Sequence, residues 1–289
     1  MKPNPRAQFV YTIFFMIPLF LFWIIPLIMA FGISFTDWDY ISPAFDFVGL
    51  DNYRYIFNDS DFFRALWNTF VFAIGSILPT MMIGLSLALL LYKNFKGCRV
   101  YQLVVFSPWI TPTVAVSLVW SWIFEPEKGL LNYFLGLFSI APLEWLKSSD
   151  TAMLAVVIFT VWKSVGWTML FYLGALERVP ESTYEAATLD GCSTFNKFLH
   201  ITLPLISPTT FFLGIINLIA SIQVYDQIQI MTQGGPGGST TTLLYLYYQK
   251  AFQNYNMGEA NAVAMVILLI IVVLSLISTW FSKKHVHYD

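Results

Sequence analysis

Charge is what this sequence has least of. Asp, Glu, Lys and Arg make up 11% of its 289 residues, less than half the roughly 25% of ordinary soluble domains. The hydrophobic share is 57% and the mean hydropathy +0.66, so a water-surrounded globule is excluded and a bilayer is the matching solvent. There are two cysteines, Cys98 and Cys192, in different loops that the topology below puts on the cytoplasmic side, where thiols stay reduced; no disulfide is expected. Histidine is scarce as well: His200 stands alone, and His285 and His287 sit two apart in a short tail. With no H-E-x-x-H and no G-x-S-x-G, no catalytic metal or hydrolase site is expected. No basic stripe or zinc spacing points to nucleic acid. The glycine-rich run Gly234–Gly238 is not followed by a Lys-Ser/Thr pair, so it reads as a turn and not as a phosphate loop. There is no clear repeat and no low-complexity tract.

What the chain does have is uncharged length. Apart from Lys163, the gaps between charges give six runs, at about 10–35, 66–92, 100–124, 151–176, 205–225 and 260–281. Each suffices for the roughly 20 helical residues that cross about 30 Å of hydrocarbon. An open sheet cannot satisfy its backbone in lipid, so the expected class is all-α, a polytopic membrane protein with six spans in a single domain over residues 1–289. Lys2 and Arg6 ahead of the first run resemble a signal peptide, but the run is too long for one and reads as an uncleaved span. Pro18, Pro26, Pro79, Pro108 and Pro112 fall inside spans, where neighbours can re-satisfy freed carbonyls, so kinks are expected more than ends. Aromatics form 18% of the chain; Tyr92, Trp120, Trp122 and Trp280 near span ends suit an interfacial belt. The N-terminus, the loops after spans two and four and the C-terminus hold nine Lys and Arg. The loops after spans one, three and five hold five over a greater length. Both termini, and the loop at 177–204, are therefore expected in the cytoplasm.

That loop carries nearly all of a polar, mixed-charge stretch, YEAATLDGCSTFNKFLHITLPL, Tyr184–Leu205. Ser182 followed by Glu185 fits a capping box, Ala186 and Ala187 favour helix, and Gly191 fits a stop. A helix of about two turns is expected over Thr183–Asp190, with a second from about Thr194 that ends before Pro204. The product is a helix-Gly-helix elbow. From local physics alone, Glu185 either caps its own helix or serves a partner.

Glu185-Ala186-Ala187, Gly191, Ile201 and Leu203-Pro204, in that spacing, resemble the EAA loop of membrane permease subunits of binding-protein-dependent ABC importers. MTQGGPGGSTTTLLYLYYQKAF at Met231–Phe252, NMGEANA at Asn256–Ala262 and FVGLDNY at Phe47–Tyr53 are similar to segments of the carbohydrate, maltose-permease-like branch. Cys192 stands where the family often has alanine. The resemblance implies a MetI-like type I fold and half of a pore for a sugar or related small polar solute, in a bacterial cell membrane. It also implies that the elbow docks on an ATPase subunit through Glu185, Ala186, Ala187, Asp190 and Gly191. A second permease, two ATP-binding subunits carrying ATP and Mg, and an extracytoplasmic solute-binding protein complete the implied assembly. This chain would hold no cofactor and would not be an enzyme by itself.

Lys163 is the one charge in the middle of a span. Such a lysine costs about 2.5–3.5 kcal/mol on insertion scales and faces a watery path or a buried set of carbonyls; the sequence allows both. Thr160, Lys163, Ser164 and Trp167 share one face of a span-four helix at i, i+3, i+4, i+7. Asn217, Ser221 and Val224 share one face in span five, with Gln223 and Asp226 nearby. These faces are candidate solute ligands, or ordinary interhelical hydrogen bonds. Family resemblance places the solute on the helices flanking the EAA loop. A neutral sugar would use Asn217 and Ser221, and an anion would also draw on Lys163. Two rival classes are an ion-driven secondary transporter, which calls for several intramembrane acids where only Asp226 lies near a span end, and a non-transporting scaffold, which needs neither a central lysine nor this spacing.

Overall fold

The computed structural model describes residues 14–92 and 95–285, with 281–285 by backbone alone. Lys2, Arg6, Lys93 and His287, the side chains of Lys283, Lys284 and His285, and the start of the first run at residue 10 lie outside the described residues. Within those limits the chain is helical, with one isolated bridge between Thr36 and Phe47. Four helices are long and apolar enough to cross a membrane: Phe14–Ile33, Ser60–Leu91, Ala152–Leu176 and Met257–Trp280. Two bent pairs raise the number to six if each is one span. The chain divides into two compact units.

Among the described residues, the first unit comprises 14–62 and 246–269. Helix α1 (Phe14–Ile33) buries none of its span against the rest of the chain, so its apolar surface is left for lipid or another subunit. The short α2 (Asp51–Asn58) catches the end of α1: the amide of Asn52 donates to Ser34 O at 2.9 Å and Thr36 O at 2.8 Å. Backbone comes so close here that a Cβ on Gly258 would sit 2.0 Å from Thr36 O, which is why glycine is needed.

Among the described residues, the second unit comprises 63–92, 95–245 and 270–285. Here α3 (Ser60–Leu91) runs unbroken through Pro79. Span three is instead the pair α4 (Cys98–Ile110) and α5 (Thr113–Ile123), bent by 100°. Thr111 and Pro112 adopt extended and polyproline-like ψ angles of 140° and 127°, as the restriction on a residue before proline dictates. A short α6 (Leu130–Leu137) precedes α7 (Ala152–Leu176). Small residues let the helices close on one another: a Cβ on Gly166 of α7 would strike Val105 O of α4 at 2.1 Å, and one on Gly84 of α3 would strike Thr168 at 2.7 Å. In lipid, where apolar surface alone does not drive helices together, such close approach is the main source of adhesion. Around it Met169, Tyr172, Leu213, Ile206 and Ala88 form a dry cluster.

After α7 come α8 (Glu181–Leu189), α9 (Thr194–Leu205), α10 (Ser207–Ile222) and α11 (Asp226–Met231). Two local expectations are corrected. First, α8 starts at Glu181 behind Pro180 with no side-chain cap, so Ser182 lies inside the first turn and no capping box forms. Second, α9 does not stop before Pro204. The turn at Phe198–Thr202 widens, with Leu203 N–H donating to Phe198 O, and this admits the proline. The break falls at Ile206, where α9 and α10 meet at 64°. Helix α12 (Leu243–Tyr248) and α13 (Met257–His285) complete the order.

Candidate functional site

Six of these elements, α3, α4, α5, α7, α10 and α11, line a cavity of about 170 Å³ in the second unit. Helix α7 contributes Thr160, Lys163 and Ser164, and α10 contributes Asn217 and Ser221. Helix α3 adds Ser76 and Thr80, and the bend of span three adds Trp109 and Thr113. The two faces read from the sequence thus meet on one space. Trp167 lies one turn beyond it, its ring stacked on Trp109 at 5.0 Å and 15°.

The lysine is committed elsewhere. Its amine donates to Thr111 O at 2.7 Å, Pro108 O at 3.0 Å and Trp109 O at 3.4 Å. The end of α4 leaves carbonyls with no intrahelical partner, and its dipole is negative there, so a cation satisfies both needs. Lys163 lines the cavity, but its donors brace the bend. What remains for a solute is neutral. Asn217 donates one amide hydrogen to Leu213 O at 2.8 Å. Ser221 donates to Leu218 O and keeps its lone pairs. The Thr80 hydroxyl is buried with no partner, and Gln227 reaches Thr160 Oγ1 at 3.3 Å.

Gln223 and Asp226 are exposed and absent from the lining, and Val224 is buried. The helical phase that would align them ends with α10 at Ile222, and Tyr225 turns away at φ −141°. Ser76, Thr80, Thr113 and Gln227 were missed by sequence reasoning. Ser76 and Thr80 are four apart in an otherwise apolar run, which was the available signal.

The elbow projects from the same two helices. Glu185, Ala186, Asp190 and Gly191 are exposed, while Ala187 packs inward. Gly191 has φ +73°; its N–H donates to Thr188 O and that of Cys192 to Ala187 O, the two bonds of a glycine C-cap. Lys197 Nζ donates to Thr188 Oγ1 at 2.6 Å, and Tyr184 OH meets Thr202 Oγ1 at 3.0 Å. These links tie α8 to α9 as one body. Glu185 neither caps nor pairs among the described residues.

The model of the family described as "Binding-protein-dependent transport system inner membrane component" matches residues 80–286. The chain is 34% identical over 267 residues to the probable ABC transporter permease protein YurN of Bacillus subtilis, covering 91% of each. It is 35% identical over 255 residues to the trehalose/maltose transport system permease protein MalF of Thermococcus litoralis, covering 88% of this chain and 85% of the relative. To the sn-glycerol-3-phosphate transport system permease protein UgpA of Pectobacterium atrosepticum it is 32% identical over 272 residues, covering 93% and 91%. In fold it is similar to a chain of a bacterial ABC transporter involved in the import of the acidic polysaccharide alginate, with TM-score 0.82, 23% identity and coverage of 96% and 94%. With its spans, its elbow and a family match over more than two thirds of its length, this multi-pass membrane chain belongs to the binding-protein-dependent transport system inner membrane components.

Proposed function

We propose that this chain is a permease subunit of an ATP-driven importer, supplying half of the path for a neutral, hydroxyl-rich solute such as a sugar or polyol. One observation carries the reading: the two helices that contribute Thr160, Ser164, Asn217 and Ser221 to the cavity are the two that the exposed elbow joins. A push on the elbow is delivered to the cavity walls. The elbow meets an ATPase subunit through Glu185, Ala186, Asp190 and Gly191, with Ala187 holding α8 to the body. ATP and Mg reside on a pair of such subunits, a second permease closes the path, and a solute-binding protein delivers from outside. The elbow and both termini face the cytoplasm, in keeping with the distribution of Lys and Arg.

The neutrality of the solute follows from Lys163. Its hydrogens already point at three carbonyls, and the remaining lining offers hydroxyls and amides. The cavity lining also holds no Asp or Glu among the described residues, whereas an ion-coupled carrier keeps acids along its path.

The test is purification from native membranes followed by reconstitution. An ATP-binding subunit is expected to co-purify, and uptake is expected to need ATP, to be competed by neutral sugars or polyols, and to resist sugar phosphates. ATP-independent uptake driven by an ion gradient would refute the assignment.

A further inference from the structure

The polar face of α7 does not end at Trp167. Continuing at helical spacing, Phe171 and Gly174 carry the same face on toward the elbow, and Arg178 follows in the turn past the end of α7. They open on a second cavity of about 460 Å³, within the 300–1,000 Å³ range of small-molecule sites. On α10 the opposite wall is Phe212 and Thr209, one to two turns from Asn217 toward the elbow. The two cavities are joined by rings. Trp109, in the first, stacks on Trp167; Trp167 meets Phe171 at 4.4 Å, and Phe171 meets Phe212 at 5.7 Å. The floor is open at Gly174, where an added Cβ would touch nothing within 4 Å. Arg178, at the far end, is exposed; its backbone N–H donates to Ala175 O at 3.2 Å, while its guanidinium has no hydrogen bond or ion pair among the described residues.

We propose that this second cavity is a further solute station on the elbow side of the first. It holds a ring-shaped, hydroxyl-bearing solute by stacking the solute's C–H face on Phe171 and Phe212, while Arg178 and Thr209 take its hydroxyls. The proposal rests on the reading of the first cavity as a solute site. Its chemistry complements that cavity. The first station grips hydroxyls from the side through short, directional groups. The second offers mainly flat apolar faces, which hold a sugar ring without fixing its rotation and so release it. A path that must bind and also let go is served by successive weak sites better than by one tight one. The four rings form one contiguous aromatic wall on α4, α7 and α10, with Trp109 at the first cavity and Phe171 and Phe212 at the second.

The test uses the complete transporter with its partner subunits, all carrying Cys192→Ala, because Cys192 is exposed while Cys98 is buried. Gly174→Cys and, separately, Asn217→Cys are treated with the water-soluble cation 2-aminoethyl methanethiosulfonate. Both sites are expected to react. Maltose, the neutral probe, at about twice its half-protecting concentration is expected to slow the reaction at Gly174→Cys by about threefold, as occupancy of the site requires. That protection is expected to vanish when Phe171→Leu and Phe212→Leu are added, since leucine keeps apolar bulk but offers no flat face. Reaction at Asn217→Cys with none at Gly174→Cys overturns the second station, for lipid or another chain then covers it. Protection that survives the two leucines, protection by sn-glycerol 3-phosphate but not maltose, or no protection by either overturns it too. Failure of Asn217→Cys to react brings down the reading of the first cavity instead, and the second falls with it.

Discussion

Lys250 shows how much one side chain can hold. It is 8% exposed, and its amine contacts Glu259 at 2.7 Å and Asp59 at 3.3 Å, with the ring of Tyr55 beneath it at 5.0 Å. Asn256 donates a further hydrogen bond to Glu259 at 2.7 Å. Burial pushes the Lys250 amine down, but the hydrogen bond and charge of Glu259, with those of Asp59, outweigh it and hold the amine above the ordinary lysine value. The sign follows: the cluster stabilises the first unit throughout the neutral range and loses that contribution only as pH rises through the raised value. Removing the cation leaves two carboxylates side by side with little water. Lys250→Met is therefore expected to cost about 3–5 kcal/mol, read as a lowered thermal midpoint in detergent, with partial recovery in Lys250→Met/Glu259→Gln. An unchanged midpoint in the single variant would show the triad to be idle. None of this was legible in the chain, where Asp59 and Lys250 are 191 positions apart.

At the scale of the element, the broken third span is the instructive case. Sequence marks it with Pro108 and Pro112, and leaves open that Lys163 meets carbonyls, but not that those carbonyls are the ones at this bend, 52 positions back from Lys163. Lys163→Met keeps the length and apolar bulk of the side chain but removes the donors. Leaving carbonyls unsatisfied costs about 1–3 kcal/mol, so hydrogen exchange of the backbone amides at 113–117 is expected to quicken and the thermal midpoint to fall. If exchange is unchanged and only uptake of an anionic solute suffers, the lysine is a ligand and not a brace. The stripe Thr160–Lys163–Ser164–Trp167 was readable because α7 is one regular helix. Gln223 and Asp226 do not line this cavity, because α10 ends at Ile222 and spacing carries no information past a helix end.

For the whole molecule the question is how force on one face reaches the solute. Glu185 is exposed and makes no contact that stabilises α8, so Glu185→Ala is expected to change stability by less than about 0.5 kcal/mol. The same variant is expected to lose most transport and solute-stimulated ATP hydrolysis while the complex still co-purifies. Transport at the normal rate would rule out the docking role. Because α8 is uncapped by this side chain, loss of helix cannot be confused with loss of coupling. The bare α1, with none of its span buried, fits a chain that completes its packing only in lipid and beside another subunit.

The sequence by itself determined the solvent and the all-α class. Six uncharged runs, scarce charge and the EAA spacing are one-dimensional properties, and a bilayer converts run length directly into spans. It also located the elbow, since a polar break between apolar runs is visible without coordinates. Only the tertiary structure decided what Lys163 does, which polar groups share the first cavity, and that a line of rings leads from it to a second. Those depend on where helix axes bend and which faces then meet, and a proline or a widened turn sets such angles through contacts between residues far apart in the chain.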